Sequence, residues 1–147
     1  MKDDFFLNKL EHLRINKNGE YLAPHKPLLL LLLMKKIKNR HDNEFLYDEI
    51  VDDLSFLLRK HTHSQTIKAQ YPFVFLDECI WSTNVGILKF KDSPSRKEVL
   101  GTKGKLNEEF FQLLISNNEN ISTFSQLIIK KYFAKDRYEE LNNWMNE

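Results

Sequence analysis

A chain of 147 residues with 22 Lys or Arg against 21 Asp or Glu is long enough for one real hydrophobic core, and its net charge of +1 does not announce a polyanion binder. The single cysteine, Cys79, excludes an intramolecular disulfide and any zinc site built from paired CxxC units. The opening MKDDFFLNKLEHL breaks its apolar residues with charge every few positions, so no signal peptide is expected, no membrane partner, and a cytoplasmic address.

Charge is nevertheless unevenly placed along the chain. Residues 24–41 carry five Lys or Arg and no acid, residues 42–53 carry six acids and no base, and residues 54–76 lose acids again while Arg59, Lys60, Lys68, His61 and His63 appear. Opposed blocks cancel in the sum and still leave room for a basic face.

The first helix is expected to be capped by Asp3 or Asp4 and to carry Phe6, Leu7, Leu10 and Leu13 at helical spacing, with Phe5 as a further candidate, ending near Asn16 ahead of the turn signal Lys17-Asn18-Gly19. An extended connector then leads into LAPHKPLLLLLLMKKIK. Its seven unbroken apolar residues, 28–34, are less than half of a membrane span and read as a central helix buried on nearly every side. Pro27 suits the first turn, where a missing amide proton costs nothing, so the helix starts near residues 25–27. Its unpaired amides and positive dipole end then lie beside His25 and Lys26, a natural place for an anion. A third helix is expected from Asp48, as cap, to about Lys60, with Ile50, Val51, Leu54, Phe56, Leu57 and Leu58.

Residues 61–70, polar and acid-free, read as a loop that can meet a polyanion. Residues 73–83 place two β-prone runs about Asp77-Glu78 and read as a hairpin resembling a wing, with a further strand over 85–90. Residues 91–105, rich in Lys and Arg, read as a long loop. Three more helices follow: about 106–116, about 121–134, and a last one capped by Asp136. The expected class is therefore mainly α with a small β-hairpin or sheet (α+β), a helical bundle with a winged-helix-like hairpin. One domain over 1–147 is expected, with residues 106–146 as scaffold.

No Walker loop, GxSxG, GxGxxG or HExxH motif is present, and Cys79 reads as a packed small residue, so a binding module is favoured, with no catalytic residues, no cofactor and no metal. Two alternatives differ in class: a metal-dependent nuclease or hydrolase using the acidic face of Asp48, Glu49, Asp52 and Asp53, and a protein-interaction domain that does not bind DNA.

One resemblance is carried by particular residues. Ala23-Pro24-His25-Lys26-Pro27 leading into leucines, followed by Tyr71-Pro72-Phe73 and then Leu76 and Trp81, resembles the sulfur-binding domain of phosphorothioate-dependent, McrA-like (type IV) HNH restriction endonucleases. The similarity spans about residues 1–105. It implies recognition of duplex DNA in which one non-bridging phosphate oxygen is replaced by sulfur, with cleavage supplied by a nuclease domain or subunit, since no HNH segment is visible. It puts His25 and Lys26 on the modified phosphate and its neighbour, and the ring faces of Tyr71 and Pro72 on the sulfur. The third position after the proline is alanine in the best-known members and Phe75 here, which either offers a ring edge to the sulfur or fills its pocket. Backbone or base contacts are expected from Arg59, Lys60, Lys68, Arg96 and Lys97, with Asp77 or Glu78 able to accept from a cytosine amino group.

Overall fold

The computed structural model describes residues 2–15, 17–18, 21–62, 67–84 and 93–147. Helix α1 (Lys2–Glu11) is followed by a short antiparallel pair, β1 (Lys17–Asn18) with β2 (Tyr21–Leu22), and then by α2 (His25–Arg40). Strand β3 (Phe45–Leu46) leads into α3 (Tyr47–His61), and a six-residue helix α4 (Gln70–Phe75) precedes β4 (Trp81–Thr83). A single turn of helix α5 (Arg96–Val99), strand β5 (Lys103–Leu106), α6 (Glu108–Ser116), α7 (Asn120–Tyr132), a 3-10 turn (Lys135–Arg137) and α8 (Tyr138–Met145) complete the chain.

Helix α2 is the core. Every side chain from Pro27 to Met34, and Ile37 beyond it, is buried. Full burial of each leucine is worth about 1.5–3 kcal/mol relative to leaving it in water, so no other segment contributes as much. α3, α4, α6 and α7 pack on α2, while α1 and α8 lie against α7. The helix starts where Pro27 predicts. It ends on His41, whose N–H still bonds to the Ile37 carbonyl at 2.8 Å and whose left-handed φ of 55° then turns the chain out of the helix.

The mainly α architecture with a small β element is as expected, but the β element is elsewhere. β5 is the middle strand of a three-stranded antiparallel sheet, order β3-β5-β4, pairing Phe45 with Gly104 and Trp81 with Leu106. Residues 73–83 therefore do not form a hairpin: Phe73, Val74 and Phe75 are helical, and only Trp81–Thr83 is strand. The "loop" over 91–105 contains both α5, started by a Ser95–Glu98 capping box, and β5. α1 stops at Glu11, and α3 starts one residue before Asp48, whose carboxylate accepts from the Gly101 N–H (2.7 Å) instead of capping the helix. Asp136 lies in the 3-10 turn, not at the cap of α8. The strand expected over 85–90 lies outside the described residues, as does His63.

Two glycines make the sheet possible. Gly101 turns the chain into β5 with φ +81°, a region that side-chain-bearing residues rarely adopt. Gly104 leaves room for the indole of Trp81: a Cβ there would stand 2.0 Å from Trp81 Cζ2. Gly104→Ala is therefore expected to destabilise the fold by at least the 1–3 kcal/mol typical of overpacking, read as a lower urea midpoint. An unchanged midpoint would mean that the indole has another place to go.

Candidate functional site

The N-terminus of α2 and the short helix α4 meet at an open cavity of about 300 Å³. His25, Lys26 and Ala23 line it from α2 and its approach, Tyr71, Pro72 and Phe75 from α4, and Arg14 and Ile15 from the segment after α1. Five residues singled out from sequence, His25, Lys26, Tyr71, Pro72 and Phe75, are thus brought together across some 45 residues of chain.

Local chemistry explains each wall. Pro72 falls in the first turn of α4, where an imino nitrogen leaves no hydrogen bond unmade, and Leu76 N–H closes the helix on the Pro72 carbonyl at 2.9 Å. Helical spacing then sends Phe73 and Val74 into the core and leaves Tyr71 and Phe75, four apart, half-buried on one face. Their rings meet edge to face at 6.1 Å. Trp81 holds α4 from below, donating its indole N–H to the Phe73 carbonyl at 2.7 Å. Phe75 consequently stands in the cavity wall beside Tyr71 rather than turning away from it.

The polar wall is less cationic than the sequence suggests. Burial pushes the His25 imidazole below its ordinary 6.5, which disfavours the charged form of the ring. Lys26 Nζ donates to Asp77 Oδ1 at 2.8 Å and to the Arg14 carbonyl at 2.6 Å, with only 15% of its side chain exposed and 9% of that of Asp77. Two of its three ammonium protons are committed within the protein. Asp77, expected to be available to a base, is occupied by this pair and by the Arg14 N–H (3.0 Å).

The remaining candidate residues do not line the cavity. Lys68 sits beside it, its ammonium 5.1 Å from the Tyr71 ring centroid. Exposed Arg96 donates to the Ile67 carbonyl at 3.0 Å, and exposed Lys97 follows it on α5, which packs against α4. Lys60 is drawn to α8 by an ion pair with Glu140 (2.7 Å), and Arg59 is exposed in the same last turn of α3. Of the acidic residues behind the hydrolase alternative, Asp53 pairs with Lys36 and Glu49 with Arg40. Among the described residues no group of three or more His, Cys, Asp or Glu is placed to hold a metal ion. Nor is any helix of the described residues long and apolar enough to cross a membrane.

Arg14 and Ile15 are the lining residues that sequence reasoning missed. The only signal for them was proximity to a turn.

A profile of the family described as ScoMcrA-like, DNA sulfur-binding domain matches residues 3–143. The chain belongs to that family. In fold this sulfur-binding domain is similar to the sulfur-binding domain of SprMcrA complexed with phosphorothioated DNA, with a TM-score of 0.79 and 17% identity over 98% of this chain and 93% of that one. It is also similar to the sulfur-binding domain of ScoMcrA complexed with phosphorothioated DNA, with a TM-score of 0.74 and 18% identity over 92% and 97% of the two chains. A longer ScoMcrA chain that adds an SRA domain matches over 87% of this chain and 42% of its own length, at 19% identity and a TM-score of 0.70. No curated protein sequence matches.

Two histidines, one buried and one half-buried, set an acid limit on the domain. His61, buried and accepting from Arg137 Nη1 at Nδ1 (2.8 Å), is also pushed below 6.5, first by burial and then by the guanidinium. For both His25 and His61 the unfolded chain takes up protons at a higher pH than the folded one, so stability is expected to fall as pH drops through about 6.5 and to level off below the folded values. Urea midpoints at neutral and mildly acidic pH should differ in that direction. The difference should shrink in His25→Gln and His61→Asn. A midpoint that does not move with pH would contradict the assignment.

Proposed function

We propose that this domain binds duplex DNA at a single phosphorothioate linkage, seating the sulfur against the rings of Tyr71, Pro72 and Phe75 while the other non-bridging atom faces His25 and the remaining ammonium proton of Lys26. The observation that carries the reading is the cavity in which the start of α2 faces the Tyr-Pro corner of α4. What the SprMcrA and ScoMcrA domains are complexed with, phosphorothioated DNA, supports the same ligand for this chain.

The physical basis is a difference between two anions of equal charge. Sulfur is larger and more polarisable than oxygen and is a poorer hydrogen-bond acceptor, so it loses less when water is replaced by ring and CH groups. An ordinary phosphate oxygen in the same place loses its hydrogen bonds without replacement, at a cost on the order of 1–3 kcal/mol. That range corresponds to roughly 5- to 150-fold in affinity. Phe75 enlarges the nonpolar wall by a ring edge, in a position beside Tyr71. A neutral His25 serves this discrimination better than a charged one, since it can donate a hydrogen bond to either anion without adding net attraction for both.

General affinity for the backbone would come from Lys68, Arg96 and Lys97 beside α4, with Arg59 further along the surface, while Lys60 is largely committed to Glu140. The chain then acts as one recognition unit of a modification-dependent restriction system in the cytoplasm. It locates the linkage and does not cut, leaving cleavage to a nuclease domain or subunit.

The test is a pair of duplexes of identical sequence, one with a stereodefined phosphorothioate and one without, titrated against the wild-type domain and Tyr71→Ala. The wild type should bind the thiolated duplex about 5- to 150-fold tighter, and Tyr71→Ala should lose most of that ratio while retaining its affinity for the plain duplex. Equal binding of both duplexes by the wild type would remove the sulfur from the account.

A further inference from the structure

The cavity has to attract an anion, yet neither basic residue at the start of α2 brings a free charge to it. Lys26 is already compensated by Asp77 at 2.8 Å, and His25 is a partly buried imidazole. Of the lining residues only Arg14 carries a guanidinium, and among the described residues no acid pairs with it.

We propose that Arg14 grips the DNA backbone at the mouth of this cavity, and that the Lys26–Asp77 pair is the positioning device that holds Arg14 there. The proposal rests on the DNA-binding reading above and adds a residue that reading does not use. Its geometric support lies in how the segment after α1 is fastened. Arg14 donates its backbone N–H to Asp77 Oδ2 at 3.0 Å, and its carbonyl accepts from Lys26 Nζ at 2.6 Å. One residue earlier, Leu13 N–H is bonded to the Tyr132 hydroxyl at 3.1 Å, and that hydroxyl donates to the Leu10 carbonyl. The backbone of a non-helical stretch is thereby held at successive peptide groups by residues from α2, α7 and the turn after α4. Backbone fixed in this way leaves Arg14 exposed among the residues that line the cavity.

The arrangement divides labour between the two cations. A lysine whose charge is spent on an internal carboxylate adds little attraction for phosphate but secures a loop. An arginine at the rim offers up to five N–H donors in a planar fork, which suits two oxygens of one phosphate. Lys26 then acts chiefly through Arg14 and brings only its one remaining ammonium proton to the linkage itself.

Anisotropy titrations of the intact chain against the thiolated and plain duplexes, over about 50 to 200 mM salt, separate the possibilities. Arg14→Gln should bind both duplexes about 10-fold more weakly, with a plot of log K against log salt shallower by about 0.9, the slope of one lost phosphate contact. Arg14→Lys should restore the slope but only part of the affinity. Asp77→Asn decides the role of Lys26. If the pair positions Arg14, this variant, checked for folding by circular dichroism, binds both duplexes more weakly. If Lys26 is instead the main cationic contact of the phosphate, freeing its charge from Asp77 tightens binding and steepens the slope by about 0.9, which would overturn the proposal. Wild-type affinity and slope in Arg14→Gln would overturn it as well. A wild type that binds both duplexes equally defeats only the sulfur reading, and Arg14 is then judged by the slope on plain DNA.

Discussion

An unbroken run of side chains from Pro27 to Met34 is buried, so the middle of α2 has no face left for solvent. That constraint arranges the molecule. Every neighbour must cover part of the helix, and a helix covered all round can present chemistry only at its ends. At its C-terminal end Lys38, Asn39 and Arg40 are exposed, while Lys35, whose ammonium lies 4.3 Å from the Trp144 ring centroid and bonds to the Trp144 carbonyl, and Lys36, paired with Asp53, are tied to α8 and α3. Its N-terminal end opens on the cavity. The site thus occupies one of the two ends that the packing of the core leaves accessible.

The second element of the site is shaped by the same core. α4 is only six residues long and owes its position to Phe73, buried between Tyr47 and Trp81, whose rings approach it edge-on at 5.2 and 5.3 Å. With Phe73 fixed, the residues on either side of it in the helix, Tyr71 and Phe75, are obliged to face the end of α2. A nonpolar wall and a polar wall of the cavity are thus set by two buried anchors, not by contacts within the cavity. Such a site is preformed, and preformation is what a steric and desolvation test between oxygen and sulfur requires.

Much of this could be read in the residues, and the failures have physical causes. The start of α2, its burial and the convergence of His25 with Tyr71 and Pro72 followed from proline placement, from seven consecutive apolar residues and from the family resemblance. The hairpin over 73–83 was misread because Phe-Val-Phe has high β-propensity, while the competing signal, a proline in a first helical turn, is the one that had placed α2 correctly. Strand β5 was hidden in a Lys- and Gly-rich stretch because its partners β3 and β4 lie about 60 and 20 residues away, and such pairing leaves no local periodicity. The charge state of the site was likewise beyond a linear reading. Asp77 follows Lys26 by 51 residues, and the lowered pKa of His25 comes from its partial burial in the fold. Arg14 had no motif at all.

The central claim is that one nonpolar wall and one polar wall flank a single backbone linkage, so the two non-bridging positions of that linkage are not equivalent. Binding of the domain to two duplexes that differ only in the configuration at phosphorus, the Rp and Sp phosphorothioates at the same position, tests this most directly. The account predicts that one diastereomer binds with the full sulfur preference and the other no tighter than the unmodified duplex. Equal, enhanced affinity for both would show that sulfur is favoured without being seated against Tyr71 and Pro72, and would contradict it.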